Sequence, residues 1–253
     1  MTQPPPPAPP ASADDPAARL GGGRALRRGV IEALGAPALL LFASYLGFGS
    51  LVHGAELSLF AGLASTIATF ALPGQIVAVE LYATGATLTG IALAVALTNV
   101  RLLPMTLALV PRFGRAPRWQ LYALAHVIAV TGWVQAMTVF HRVPVADRVP
   151  YYAGFAAVLL SSTLTGTVCG FLASDAVPAA ISLGLIMVNP IYFLLMLSRN
   201  LAVPAHAWAM GFGVVLGPSL HLLSPDWGLL ATGLIAGTAG FVIGRRPLRR
   251  RNG

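Results

Sequence analysis

The chain has 253 residues, of which 56% are hydrophobic and 9% are charged, whereas soluble domains carry roughly 25% charged residues. So few charges could not cover the surface of a water-soluble fold of this size, which excludes an ordinary soluble domain. The net charge of +8 arises from sixteen basic residues, all arginine, clustered mainly at 19–28, 112–118 and 245–251. Because these clusters flank apolar runs, they indicate cytoplasmic anchors at lipid headgroups and not a nucleic-acid interface.

Residues 1–29 differ in composition from the rest of the chain. A proline tract at 4–10 is followed by alanines, aspartates and a triple glycine, a mixture that cannot bury a core. We expect a disordered cytoplasmic tail over 1–29, a membrane permease domain over 30–245 and a basic cytoplasmic tail over 246–253. No cleaved signal peptide is predicted, because the first apolar run has about 20 residues and a signal core has about 7 to 15.

The middle of the chain consists of eight uncharged, mainly apolar runs. Most of them reach the roughly 20 residues that a helix needs to cross about 30 Å of hydrocarbon. They predict an all-α fold, a polytopic integral membrane helix bundle. The runs occupy 33–52, 57–79, 81–100, 119–140, 149–174, 176–198, 200–225 and 227–244.

Two of these runs carry a break near the middle. Pro73-Gly74 interrupts the second run and Asn189-Pro190 the sixth; proline removes a helix donor, and a neighbouring glycine permits a bend. If all eight runs crossed, the arginine clusters would fall on both faces. With the two broken runs re-entrant, about six crossings remain and every cluster lies inside. We therefore predict a multi-pass protein of a bacterial cytoplasmic (inner) membrane with both termini cytoplasmic.

This arrangement contains a repeated order of segments. Ser44, Gly49 and Pro73 each have a counterpart of the same type 117 positions later. Three crossings separate the two units, so the second would be inverted, as in many secondary transporters. Chance similarity between two apolar hairpins would give the same spacing.

Arg101 is the basic residue farthest inside the apolar runs. It lies eleven residues before Arg112, which corresponds to a depth of about 16 Å in a helix. Arginine at the bilayer centre costs at least about 2.5 to 3.5 kcal/mol, so we expect it to face the bundle interior and to hold a partner. It could bind a substrate carboxylate, which suits a planar guanidinium, or it could form a fixed ion pair or cap the carbonyls of a broken helix.

The other polar residues inside the runs are few. Glu80 is a candidate for ion coupling or an interfacial glutamate at a helix end. Gln75 and Asn99 could orient polar atoms toward a solute, or they could satisfy backbone groups freed by the breaks. The candidate substrate-binding residues are Pro73, Gly74, Gln75, Asn99, Arg101, Asn189 and Pro190.

Motifs of enzymes are absent from the sequence. It contains no Walker glycine loop, no His-Glu-x-x-His and no Gly-x-Ser-x-Gly. Its one cysteine, Cys169, cannot form an intrachain disulfide. We predict no enzyme, no catalytic residue, no cofactor and no metal site.

Three short segments carry a resemblance to a known family: Ala71-Leu72-Pro73-Gly74-Gln75-Ile76, Thr84-Gly85-Ala86 and Thr98-Asn99-Val100-Arg101-Leu102-Leu103. Together they resemble the AzlC family of branched-chain amino acid exporters. The resemblance spans about residues 27 to 200 and implies export of branched-chain or similar amino acids, with a small three-helix AzlD-type membrane subunit as partner. The chain departs from the family at Ile76, where phenylalanine is preferred, and at Thr131-Gly132-Trp133, where the family often has Thr-Asp-Glu.

The function predicted on these grounds is a secondary-type permease that exports a small amino acid. A zwitterion needs a cation for its carboxylate and an apolar wall for its side chain, and Arg101 among leucines and valines supplies both. A permease for another small organic anion would use the same arginine. A membrane scaffold subunit without transport activity is the third alternative, in which Arg101 would pair with an acidic group of the protein or of its partner.

Overall fold

A computed structural model describes residues 21–176, 178–198, 204–223 and 225–251 of the chain. Every regular element in these ranges is helical, and short 3₁₀ turns follow or precede some of the α-helices. The α-helices are α1 (Gly22–Ala33), α2 (Ala36–Gly54), α3 (Leu59–Thr69), α4 (Leu72–Ala83), α5 (Leu88–Asn99), α6 (Leu102–Leu109), α7 (Arg118–His126), α8 (Val130–Val139), α9 (Arg148–Leu172), α10 (Ala179–Ser198), α11 (Pro204–Leu223) and α12 (Pro225–Arg251).

The first two helices and α9 run side by side in the same direction. Glycines allow close approach: a Cβ at position 29, 49, 154 or 170 would collide with the backbone of the facing helix. Residues farther along α1 and α2 contact residues farther along α9, which shows that these helices are parallel. The pairs are Leu26 with Gly154, Ala38 with Ser162, and Leu46 with Gly170. We call the end where α1 and α9 begin the basic end, and the opposite end the far end.

The parallel orientation of α2 and α9 shows that the predicted inverted repeat is wrong. That repeat placed 44–73 and 161–190 in opposite directions across the membrane. Two neighbouring helices that point the same way require an even number of crossings between their starts. An inverted repeat therefore does not account for the spacing of 117 residues.

The first predicted break is confirmed, and its two halves form a hairpin. Phe70 adopts a left-handed conformation with φ 39° after α3 ends, and α4 begins at Leu72 with proline in its first turn. Position 62 in α3 faces Val52 near the C-terminus of α2, and Glu80 in α4 lines a cavity with Gly54. Both ends of this first hairpin thus lie at the far end of the bundle, as a re-entrant segment requires.

The helices α5 and α6 carry the chain from the far end to the basic end. They are bent by 47° at a break that contains Arg101. At the end of this pair, the Arg112 carbonyl accepts a hydrogen bond of 2.8 Å from Arg148 Nη1 at the start of α9. The arginine cluster 112–118 therefore lies at the same end as α1, as predicted.

The run 119–140, which was predicted to cross the bilayer, forms a second hairpin instead. Helix α7 ends at His126 and α8 begins at Val130, with no proline or glycine between them to mark the break. The 3₁₀ turn after α8 brings the Phe140 ring to 5.5 Å from Phe113 and 6.3 Å from Tyr151, between ring centroids. The second hairpin therefore starts and ends at the basic end. His126 Nε2 lies 2.7 Å from the Ile67 carbonyl oxygen, which joins the tips of the two hairpins.

The second predicted break is wrong, because α10 is helical through Asn189 and Pro190. Helix α10 packs antiparallel to α2: Ser182 donates a hydrogen bond of 2.9 Å to Ser50, while Ile186 faces Gly47. Helix α1 includes residues 22–29, and α12 extends to Arg251. Residues 1–20 and 252–253 lie outside the described ranges.

The length and composition of the helices indicate a multi-pass membrane protein. Within the described ranges two helical segments are long and apolar enough to cross alone, Ala36–Gly54 and Val145–Leu172, and the bent α5–α6 pair is a third candidate. The sequence prediction of an all-α polytopic bundle is confirmed at this level.

Candidate functional site

A cavity of about 300 Å³ lies where three helix breaks meet in the middle of the bundle. The first hairpin contributes its tip, the α5–α6 pair contributes its bend, and the second hairpin contributes the start of α8. Helices α2 and α9 close the sides. We call this the central cavity; its lining from the breaks comprises Phe70, Ala71, Leu72, Pro73, Arg101, Leu102, Met105, Ala129, Val130 and Thr131.

Two half-helices begin at the central cavity without a side-chain cap. The residues before α4 and α8 are Ala71 and Ala129, both in extended conformations, and neither offers an acceptor to the first amides. By contrast, α3 and α5 begin near the far end with Ser58 and Thr87, which each accept a backbone N–H at 3.2 Å. Uncapped N–H groups and the positive end of the helix dipole favour an anion. The central cavity therefore offers backbone donors where a capped helix would not.

Of the described residues that line the central cavity, Arg101 alone is charged. It precedes α6 at the bend, so the break itself positions the guanidinium. No described acidic side chain forms an ion pair with it, and it is exposed in the isolated chain. The fixed ion pair with an acidic side chain, one of the alternatives predicted for Arg101, is therefore not formed by the described residues. The guanidinium is instead available to a bound anion.

The remaining wall of the central cavity is apolar with a few hydroxyl groups. Leu41 of α2 and the leucine, methionine and phenylalanine of the breaks give hydrocarbon surface. Thr131, Thr163 and Tyr45 add hydroxyls from three different helices. These three were not predicted as site residues. In the sequence they are ordinary helix positions, and the folding of the second hairpin is what brings Thr131 to the cavity.

Gln75 lies behind the cavity wall and is fully engaged within the protein. Its side chain is 1% exposed. The amide oxygen accepts a hydrogen bond of 2.8 Å from Tyr45, and the amide nitrogen donates bonds of 3.0 Å to Ser65 and Thr66. The glutamine thus holds α2, α3 and α4 together, as buried amides do when their polar atoms are satisfied.

Gly74 and Asn99 contact each other next to the central cavity. A Cβ at position 74 would lie 2.6 Å from both the Nδ2 and Oδ1 atoms of Asn99, so glycine is required for this approach. Asn99 Oδ1 is buried and has no hydrogen-bond partner in the described structure. An unpaired buried acceptor costs free energy, and here it lies beside Pro73, which lines the cavity.

Glu80 lies away from the central cavity. It lines a second cavity of about 660 Å³ at the far end, together with His53, Ser50, Ser182 and other residues of α2, α4 and α10. We call this the far-end cavity. Glu80 and Arg101 therefore line two different cavities.

The remaining predicted residues are Asn189 and Pro190 in α10. Their backbone is helical, while their side chains lie outside the described residues. No group of three or more histidine, cysteine or acidic side chains suited to a metal occurs in the described ranges.

A polar cluster at the basic end was not predicted from the sequence. Glu32 of α1 pairs with Arg28 at 2.8 Å, accepts a bond of 2.8 Å from Gln135 of α8, and accepts another from the Tyr151 hydroxyl of α9. Burial alone would raise the pKa of Glu32, but the hydrogen bonds from Tyr151, Arg28 and Gln135 and the charge of Arg28 together hold it below its usual value of 4.5. The carboxylate is therefore ionised at neutral pH and fastens the second hairpin to α1 and α9.

Comparison with known proteins places this architecture in a family. No curated protein and no solved structure matches the chain. Residues 37–177, more than half of the chain, match the AzlC protein family. The match covers α2, both hairpins, the Arg101 bend and α9, so every described residue that lines the central cavity lies inside it. The chain belongs to the AzlC family.

Proposed function

We propose that this protein is a secondary-type permease that exports branched-chain or similar amino acids. The central cavity is the observation that carries the proposal, because Arg101 and two uncapped helix N-termini converge there with no described acidic side chain in the lining. Half-helix N-termini that point at anionic groups are a recurring way to bind a carboxylate inside a transporter. Membership of the AzlC family supports a transport-related role.

Each part of an aliphatic amino acid has a counterpart in this arrangement. The carboxylate would accept hydrogen bonds from Arg101, from the first amides of α8, and from the Leu72 and Gly74 amides of α4, because Pro73 between them has no N–H. The ammonium group would donate to the hydroxyls of Thr131 and Thr163 in the cavity wall. The aliphatic side chain would lie against Leu41 and Met105. A volume of about 300 Å³ is at the small end of the range for ligand sites, roughly 300 to 1,000 Å³.

The proposed topology has six crossings: α2, α5–α6, α9, α10, α11 and α12. The first hairpin enters from the far end and the second from the basic end. The clusters 19–28, 112–118 and 245–251 then share one face, and the positive-inside tendency makes this face cytoplasmic. In this arrangement both termini are cytoplasmic in a bacterial inner membrane, and Glu80 lies on the outer side as the candidate for ion coupling. The proposed partner is a small AzlD-type membrane subunit.

Efflux of preloaded, labelled leucine from cells tests this function. The chain is expressed alone and with its small candidate partner, as native protein and as Arg101→Gln at matched membrane levels. Arg115→Gln is the matched control, because Arg115 is an exposed residue at the basic end. We expect Arg101→Gln to lose efflux and Arg115→Gln to retain it.

The two alternatives predict different results in the same cells. A permease for another small organic anion is favoured by the lack of a described acidic lining residue for an ammonium group; it would show no leucine efflux but would release a carboxylate without an amine. In a scaffold subunit, Arg101→Gln would lower protein abundance and no efflux would depend on the native chain.

A further inference from the structure

Each re-entrant hairpin is fastened to a crossing helix by a tyrosine–glutamine hydrogen bond. In the first hairpin, Tyr45 of α2 donates to Gln75 of α4 at 2.8 Å. In the second hairpin, Gln135 of α8 donates to the Tyr151 hydroxyl of α9 at 2.9 Å. We call the first pair the outer latch and the second pair the inner latch.

The outer latch lies between the central cavity and the far-end cavity. Tyr45 lines the central cavity, and Val79, one turn beyond Gln75 in α4, lines the far-end cavity. Phe48 is fully buried between them and packs edge-to-face on Tyr45 at 5.7 Å. Buried side chains of α2 and α4 thus lie between the residues that line the two cavities.

The inner latch lies on the opposite side of the central cavity, toward the basic end. An aromatic cluster surrounds it, in which Phe113 lies 5.5 Å from Phe140 and 5.3 Å from Tyr152. All three rings are 2% exposed or less. Glu32 reinforces this latch by accepting hydrogen bonds from both Gln135 and Tyr151.

We propose that the outer and inner latches are the two gates of the transport path. This inference rests on the proposed function. Both latches are formed in the structure, so each hairpin is held against a crossing helix beside the central cavity. Each hairpin is connected to the rest of the chain at one face only. Release of its latch, together with the His126–Ile67 contact between the two tips, lets its tip move while the other hairpin stays in place. Release of the outer latch opens the cavity to the far end, and release of the inner latch opens it to the basic end.

Single hydroxyl deletions test this assignment without any solute. The reporter is Leu41→Cys in the wall of the central cavity, in a Cys169→Ser background, labelled by a membrane-impermeant thiol reagent. Intact cells report access from the far end and inside-out vesicles report access from the basic end. Tyr45→Phe should raise the labelling rate about five-fold in cells only, the factor expected for one hydrogen bond. Tyr151→Phe also removes the bond to Glu32, so it should raise the labelling rate by a larger factor, in vesicles only.

Tyr152→Phe is the matched control, because the Tyr152 hydroxyl is buried without a hydrogen-bond partner in the described structure. It should leave labelling unchanged from both sides. If a tyrosine variant does not reach the membrane, Gln75→Met or Gln135→Met removes the same bond from the other residue and takes its place.

The gate assignment would be overturned if Tyr45→Phe and Tyr151→Phe raised the labelling rate equally from the same side. It would also be overturned if neither variant changed the labelling rate more than Tyr152→Phe does. Leucine efflux that depends on Arg101 would still stand in that case. Conversely, side-specific labelling with no leucine efflux would support the gates and reject the amino acid as the solute.

Discussion

A hydroxyl placed before α8 should stabilise the protein and weaken solute binding at the same time. Ala129 has φ −102° and ψ 163°, which suits an N-cap residue, and no side chain caps the amides that follow. Ala129→Thr would supply an acceptor to the amides of Thr131 or Gly132. An N-cap residue contributes about 1 kcal/mol relative to alanine, and for a chain of this size that raises Tm by about 2–4 °C.

The same hydroxyl would occupy donors that the substrate carboxylate needs. Loss of one hydrogen bond to a charged group costs about 1.5–3 kcal/mol, or roughly 10- to 150-fold in affinity. Ala129→Val is the matched control, because valine has the shape of threonine without an acceptor. Both variants add the same bulk to the cavity wall, so a difference between them reports the hydroxyl.

Thermal unfolding of purified protein, followed by tryptophan fluorescence, measures both effects. A solute that binds only the folded state stabilises it by RT ln(1 + [L]/Kd), where [L] is the free solute concentration, and so raises Tm. We expect Ala129→Thr to have the higher Tm without leucine and the smaller increase with leucine. If the threonine and valine variants behave alike, or if threonine stabilises the protein and leaves leucine binding intact, the reasoning about uncapped helix N-termini is wrong.

Three further predictions concern other parts of the structure. Gly74→Ala should destabilise the protein by about 1–3 kcal/mol through overpacking against Asn99. Adding Asn99→Ala should restore Tm, as measured by thermal unfolding, without restoring efflux, as measured by a transport assay. The pKa of Glu32 is lower in the folded state than in the unfolded state. The stability that its carboxylate gives the folded protein is therefore complete above a pH of about 4.5 and is lost as the pH falls through the folded pKa. Tm measured against pH should decline over that acidic range for the native protein, and Glu32→Gln should remove this part of the decline. Single cysteines at Ala116 and Ala146 should both resist an impermeant reagent on intact cells while a cysteine at Thr84 reacts, and labelling at 146 but not at 84 would contradict the topology of both hairpins.

The sequence predicted the first hairpin because its turn has a chemical marker. Pro73 and Gly74 are tolerated in the first turn of a helix and disfavoured in its middle, so they indicate a helix start inside an apolar run. The location of the Arg112 cluster at the basic end followed from the topology argument, whereas the bend at Arg101 was not predicted. These features depend on local chain chemistry and on the distribution of charge.

The second hairpin could not be predicted in the same way, because residues 127–129 are Val, Ile and Ala. Nothing in their backbone preferences ends a helix, and only packing against α9 and the first hairpin determines the break. Conversely, Asn189-Pro190 resembles a break but lies in a continuous helix, since a proline in a membrane helix is tolerated where neighbouring groups satisfy the backbone. The error at 119–140 reversed the direction of α9 and produced the false inverted repeat.

Only part of the candidate site could be predicted from the sequence. Pro73 and Arg101 line the central cavity, and charge within an apolar run identified the arginine. Gln75 faces away from the cavity into a hydrogen-bonded contact with Tyr45, which sequence position cannot distinguish from a solute contact. Tyr45 and Thr163 come from helices far apart in the chain, so only the parallel packing of α2 and α9 brings them together.

The most direct test of the central cavity as a carboxylate site is the binding of matched leucine analogues to the purified protein. Leucine, leucinamide and 4-methylpentanoate share the aliphatic side chain; the second lacks the carboxylate and the third lacks the ammonium group. The account predicts that leucine raises Tm in native protein and in Arg115→Gln, that leucinamide does not, and that Arg101→Gln loses the effect of leucine. Equal binding of leucine and leucinamide, or undiminished binding of leucine by Arg101→Gln, would contradict it.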